Sequence, residues 1–165
     1  MDWYDAAMTE FADQLIDSLA LAPHPEGGHY RRIHASDVVV QHRGAWRPAM
    51  TAIQFLLRYG ECSRWHRVDA DEAWHWQDGG ALRLQTYDPA TGELALVTLG
   101  EAAHQPGMML HVVRAELWQR AWTDAPFALV ACTVAPGFVW EGFALLGAAP
   151  QVAGQLAALG AGEAG

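Results

Sequence analysis

Between residues 49 and 146 no apolar run goes far before a turn signal stops it. The breaks fall at Tyr59-Gly60, Asp78-Gly79-Gly80, Asp88-Pro89-Ala90-Thr91-Gly92 and Ala135-Pro136-Gly137. Around these breaks the chain is a succession of short strand-like runs, which predicts strands near 49–58, 62–68, 72–77, 81–87, 93–99, 108–114, 127–134 and 138–146. An earlier strand is predicted over Tyr30 to Ala35. Short strands separated by turns every 8–12 residues or so specify an all-β sandwich or barrel. There is no internal repeat.

The ends of the chain read differently. Met8, Phe11, Leu15 and Leu19 recur at spacings of three and four, with Glu10, Asp13 and Asp17 between them. That pattern predicts an amphipathic helix over 5–20, closed by Pro23 and Pro25. From Gly147 the chain is rich in Ala and Gly. It has room for a short helix around 150–159, but its glycines predict a frayed end. The expected organisation is therefore a helix (1–21) packed outside one β-domain (22–146), followed by a tail (147–165).

Composition excludes several function classes. No apolar run approaches the ~18 residues of a membrane helix, and the start, Met1-Asp2-Trp3-Tyr4-Asp5, is acidic where a secretory signal is basic. Two cysteines, Cys62 and Cys132, make no disulfide framework, which predicts a reducing cytoplasm. The net charge is −9 and there is no basic run. Phosphate contacts dominate nucleic-acid affinity, so no nucleic-acid partner is expected. All ten basic residues are Arg. This usage fits either the codon composition of a GC-rich genome or bidentate grip on an anionic ligand.

The informative stretch runs from Gly60 to Gly79. In a strand side chains alternate, so Arg64, His66 and Val68 share one face, as do Glu72, Trp74 and Trp76, with His75 turned away. His66 and Glu72 then face the same interior. Such a pair is a catalytic or metal-binding set, or else a satisfied buried pair.

Gly60, His66, Glu72 and Gly79 match the spacing of the first cupin motif, with Val68 at its second His position. Gly107, Val113, Ala115 and Trp118 match the spacing of the second, where only the glycine keeps its identity. Four blocks, Pro23 to Arg31 (PHPEGGHYR), Ser63 to His75, Leu117-Trp118-Gln119 and Cys132 to Phe138, follow one another as in a cupin family with a His-Pro-Glu-Gly-Gly signature. The chain resembles that family from about residue 10 to 146. It departs from it at His29, where an aromatic is usual, and at Arg32, where an acid is frequent. The resemblance implies a double-stranded β-helix (a jelly-roll barrel) and a homodimer. It implies little about chemistry, because the family is described mainly as of unknown function.

Three readings of the pocket follow. Metal-binding cupins resemble one another in using three His and one Glu. This chain keeps His66 and Glu72, so no metal is expected; a divalent ion, if bound, would use those two. The preferred reading is metal-free acid–base chemistry, isomerase- or epimerase-like, on a small sugar-like or phosphorylated substrate, similar to sugar-nucleotide epimerases of cupin fold. His66 is then the base and Glu72 its orienter. Arg64, Trp74, Gln54, Trp118 and Glu26 are expected to bind substrate, and His66→Ala is expected to abolish activity without unfolding the chain. The third reading is a small-ligand sensor with no turnover. Tyr30, Tyr59 and Tyr87 are candidate proton donors. Asp69 and Asp71 are expected in solvent at the strand connection, Cys132 in the core, and Cys62 as an ordinary small residue. His75, His104 and His111 are not placed by the sequence.

Overall fold

The computed structural model describes residues 3–102 and 108–162. An N-terminal helix α1 (Trp3–Ser18) precedes thirteen strands, and a second helix α2 (Pro150–Ala158) follows them. The strands form two large sheets and one hairpin. Six strands pair in the order β1 (Ala22–Pro23), β2 (His29–Ala35), β5 (Thr51–Arg58), β12 (Phe127–Ala135), β7 (Asp71–Gly79) and β10 (Leu110–Val113). Five pair in the order β13 (Phe143–Leu145), β6 (Cys62–Val68), β11 (Trp118–Thr123), β8 (Leu82–Asp88) and β9 (Glu93–Leu99). β3 (Val39–His42) and β4 (Ala45–Pro48) make the hairpin. The ladders remain two facing sheets and do not join into one closed barrel among the described residues. No described helix is long and apolar enough to cross a membrane.

Alternation sorts the large side chains into layers. Phe55, Leu57, Trp74, Leu82, Leu84, Leu99 and Val130 meet between the sheets. The opposite face of β5 and β12 presents Leu56 and Leu129, and α1 covers them with Met8, Ala12, Leu15 and Ile16. The outer face of the five-stranded sheet presents Trp65, Tyr87 and Trp118, which α2 covers with Leu156. As far as residue 162 the C-terminal segment therefore does not fray. Its Leu156 is fully buried, and the Trp65 indole donates to the Ala161 carbonyl at 2.7 Å. Each large apolar side chain removed from water in these layers contributes on the order of 1.5–3 kcal/mol.

Three other expectations change. The strand Trp118–Thr123 has no alternating apolar pattern, because both of its faces are buried, and it is missed by periodicity. The hairpin 39–48 is also missed, since its side chains are mostly exposed. Over 138–146 the expected strand is broken by a 3-10 turn at Trp140–Gly142, and Phe143–Leu145 alone pairs with β6.

Candidate functional site

The loop from Pro23 to Gly28 is folded against β6. The His24 amide donates to the Gly28 carbonyl and the Gly27 amide to the His24 carbonyl, both at 2.9 Å. Gly27 has φ +107°, and a Cβ there would lie 2.4 Å from the Cys62 carbonyl oxygen. Only glycine permits both that backbone and that approach. The Arg64 amide donates to the Glu26 carbonyl at 2.6 Å, and the Arg64 guanidinium donates to the Pro25 carbonyl. The effect is to drive the Glu26 side chain inward, where it is 6 % exposed.

Glu26 meets two imidazoles there. Its Oε2 lies 3.3 Å from His66 Nε2 and 3.5 Å from His24 Nδ1. The hydrogen-bond partners fix the tautomers. His66 Nδ1 is 2.8 Å from the Arg64 carbonyl, which only accepts, so Nδ1 carries the hydrogen and Nε2 keeps its lone pair in the neutral ring. His24 Nδ1 accepts from the Glu26 amide at 3.2 Å. Burial lowers both histidines to about 4. Burial first, and then the charge of Glu72, push Glu26 well above the usual carboxylate range, against the opposing pull of Arg64. A neutral Glu26 carboxyl donating to His66 Nε2 satisfies all these atoms.

Glu72 enters the same interior from the other sheet. The connection through Asp69 and Ala70 carries the chain from β6 in one sheet to β7 in the facing one. The Trp74 indole, which can only donate, bonds Gln119 Oε1 at 3.0 Å, so the Gln119 amide nitrogen is turned to Glu72 Oε2 at 2.5 Å. Burial raises Glu72 to about 7, and this hydrogen bond restrains the rise.

These groups open on one cavity of about 410 Å³, within the range typical of small-molecule sites. Its walls are aromatic. Trp140 stacks on His24 at 5.8 Å, Phe143 stacks on His66 at 5.6 Å, and Tyr30 meets His24 edge-on at 4.5 Å. Cys132, expected as core, is buried and also lines the cavity.

Of the residues expected at this site, His66, Glu72, Trp74 and Glu26 line the cavity. Arg64, Gln54 and Trp118 do not. Arg64 is exposed and clamps the Glu26 loop from outside. Gln54 lies between inward Ile53 and Phe55, so alternation turns it outward, where it accepts from Arg31. Trp118 belongs to the layer under α2, and its neighbour Gln119 takes the inward position. The expected pairing of His66 with Glu72 also changes: the carboxyl beside His66 is Glu26. Asp69 is not in solvent but 6 % exposed, bound by Arg47 through both oxygens at 2.8 and 2.9 Å.

Among the candidate donors Tyr30 lines the cavity, Tyr87 is buried under α2 and Tyr59 is exposed. His75 bonds Thr133 outside the cavity, and His111 lies on the edge strand β10. His104 and Gly107 fall outside the described residues. Sequence reasoning missed His24, Gln119 and the Phe138–Phe143 wall. His24 stood in a quoted motif, and alternation along Leu117-Trp118-Gln119 could have found Gln119 had that stretch been taken as a strand.

The donor set does not match the three-His, one-Glu arrangement of metal-binding cupins. Val68 supplies no donor, Trp118 faces away, and His66 Nε2 is turned to Glu26. No group of three or more His, Cys, Asp or Glu among the described residues is placed to hold a metal ion.

Comparison with known proteins agrees with the fold. A hypothetical protein from Leishmania major superposes with a TM-score of 0.75 at 28 % identity, over 85 % of this chain and 93 % of that one. A protein from Shewanella oneidensis gives 0.73 at 34 % identity, over 81 % and 83 %. Oxalate decarboxylase from Bacillus subtilis gives 0.56 at 18 % identity over 75 % of this chain and 29 % of that one, a likeness of fold alone. No curated protein matches the chain. The family described as "Cupin superfamily (DUF985)" matches residues 13–146, most of the length, and the chain belongs to it.

Proposed function

We propose that the cavity performs metal-free acid–base chemistry, an isomerisation or epimerisation next to a carbonyl, on a small sugar-like substrate. The observation that carries this reading is the set of two buried carboxyls and a buried neutral imidazole, from two facing sheets, on one aromatic-walled cavity. Their environments differ. Glu72, raised to about 7, is available as a carboxylate near neutrality. Burial and the charge of Glu72 favour the protonated form of Glu26. A general base works best with a pKa near the operating pH, and a neutral carboxyl donates well to a developing enolate.

The Glu72 carboxylate takes the C–H proton adjacent to the substrate carbonyl. Glu26 gives its proton to the carbonyl oxygen as the enol forms. With a hydroxyl on the deprotonated carbon the enol is an enediol: Glu72 returns the proton to the former carbonyl carbon, and Glu26 takes the proton of the neighbouring hydroxyl, which becomes the new carbonyl. In the resting site the Glu26 O–H rests on His66 Nε2, whose ring the Arg64 carbonyl fixes, and it turns from there to the substrate oxygen. Trp140, Phe143 and Tyr30 offer the flat walls against which a sugar ring packs.

The test is proton exchange in D2O, followed by NMR, with a panel of aldoses, ketoses and their phosphates. Loss of the C–H signal beside the carbonyl is expected for a member of the panel, and Glu72→Gln is expected to slow it by about 100-fold or more. His66→Ala should lose exchange with its near-UV spectrum retained. Saturable sugar binding with no exchange would instead make this a binding module. The homodimer expected from the sequence remains part of the proposal. The exposed Ile33, Val39 and Trp46 support it, and a monomer by light scattering would end it.

A further inference from the structure

We infer that the substrate carries a small oxyanion, a phosphate or a carboxylate, and that Arg32 at the cavity mouth selects it. This builds on the reading of the cavity as a substrate site and adds a charge requirement to it.

The register of β2 sets which side chains look inward. Tyr30 pairs with Phe55 and Arg32 with Ile53, and all four line the cavity. Arg31 pairs with Gln54, and its guanidinium bonds the Gln54 side chain at 3.4 Å. Arg31 also borders the cavity, but its guanidinium is taken by the Gln54 side chain, which leaves Arg32, among the described residues, as the cation of this strand with no polar side-chain partner at the mouth. Its guanidinium carbon lies 5.9 Å from the centroid of the Phe138 ring. That contact orients the planar group without neutralising it.

The arginines differ in what balances them. Arg43, Arg47, Arg58, Arg67 and Arg83 each pair with a carboxylate. Arg64 is held by a backbone carbonyl. Among the described residues Arg32 forms no ion pair, so its N–H fork stays available to a bidentate acceptor. Deeper in the cavity burial disfavours the charged forms of His24, His66 and Glu26. The mouth thus offers a permanent positive charge in a chain whose net charge is −9. An anion has little reason to approach most of this surface, and a ligand held at Arg32 would reach inward past Phe138 towards Glu26 and Glu72.

The experiment is titration calorimetry of the full chain with inorganic phosphate and, separately, with malonate. Four proteins are compared: wild type, Arg32→Gln, Arg32→Lys and Arg114→Gln. Arg114 is exposed and lies outside the cavity lining. Saturable binding of at least one anion is expected in the wild type, weakened roughly tenfold or more in Arg32→Gln and unchanged in Arg114→Gln. Arg32→Lys should bind between the two, since it keeps the charge and loses the fork. Binding of phosphate alone assigns a phosphoester, and of malonate alone a carboxylate. The inference is overturned if neither anion saturates, or if Arg32→Gln binds like wild type. The exchange assay is independent of this result: anion binding lost with Arg32, in a protein that exchanges no C–H proton, would keep this inference and sink the acid–base reading.

Discussion

Asp69 and Glu72 are three residues apart and equally hidden, at 6 % and 7 % exposure, yet they are opposite kinds of acid. Asp69 receives both arms of Arg47, also buried, and this hydrogen-bonded partner holds its carboxyl below the ordinary range. Glu72 receives only the neutral amide of Gln119, and burial lifts it to about 7. The paired acid is structural. It ties the β3–β4 hairpin, which carries Arg47, to the β6–β7 connection. Its backbone amide also bonds the Gly142 carbonyl at 3.0 Å, beside the wall that Trp140 and Phe143 give to the cavity. Gly142 has no room for a side chain, since a Cβ would lie 2.3 Å from Asp69 Oδ1. The unpaired acid is poised for chemistry, because near neutrality it can both hold and release a proton. A buried carboxyl becomes one or the other according to whether a cation faces it.

Breaking the structural pair should have the largest effect. Arg47→Met leaves Asp69 buried without its partner and is expected to destabilise the fold by about 3–5 kcal/mol in urea unfolding at neutral pH. Because Asp69 has a depressed pKa in the fold, its contribution is present above its ordinary value of 3.8 and is lost as pH falls through the folded value. The variant should lack that acid limb. A loss under about 1 kcal/mol, the range of exposed pairs, would mean that Asp69 is hydrated and that the contrast with Glu72 is not real.

Glu72→Gln should act in the opposite direction and somewhat less. The folded pKa of Glu72 is raised from 4.5 to about 7. Between those values the unfolded chain gives up a proton that the folded chain keeps, so wild-type stability falls as pH rises through this window. A shift of that size corresponds to about 3 kcal/mol once the group is ionised. The variant is expected to match wild type at pH 5 and to exceed it by roughly 2–3 kcal/mol at pH 8. Equal stabilities at both pH values would show that Glu72 is solvated and ordinary.

The smallest effect sharpens the comparison without breaking it. Gln119→Leu removes the one donor that restrains the rise of Glu72. The Glu72 carboxyl, followed by its carbon-13 shift, should titrate at higher pH than in wild type. Stability should fall by only about 1 kcal/mol for the hydrogen bond lost at Trp74. An unchanged midpoint would remove Gln119 from the site.

Much of this was legible residue by residue. Alternation around His66, Glu72 and Trp74 placed them inward because each sits on a strand with one face to the core. The glycines after Glu26 announced a backbone that only glycine adopts. Gln54 and Arg64 were misplaced for a related reason: alternation gives two faces, but only the packed structure says which face meets the cavity and where a strand's end passes beyond it. Asp69 looked like a turn residue in solvent because its partner lies 22 positions earlier, in a hairpin that hydrophobic pattern does not reveal.

By itself the sequence determined the all-β architecture, the helix before it, and the His66–Glu72 neighbourhood, because those follow from local periodicity, turn chemistry and residue spacing. The tertiary structure alone decided that Glu26, not Glu72, faces His66, that Gln119 holds Glu72, that Asp69 is buried and paired, and that the C-terminal helix caps Trp65. Each of these depends on which surfaces meet across two sheets and on how much water is left between them. Those are properties of contacts distant in the chain, and no local pattern encodes them.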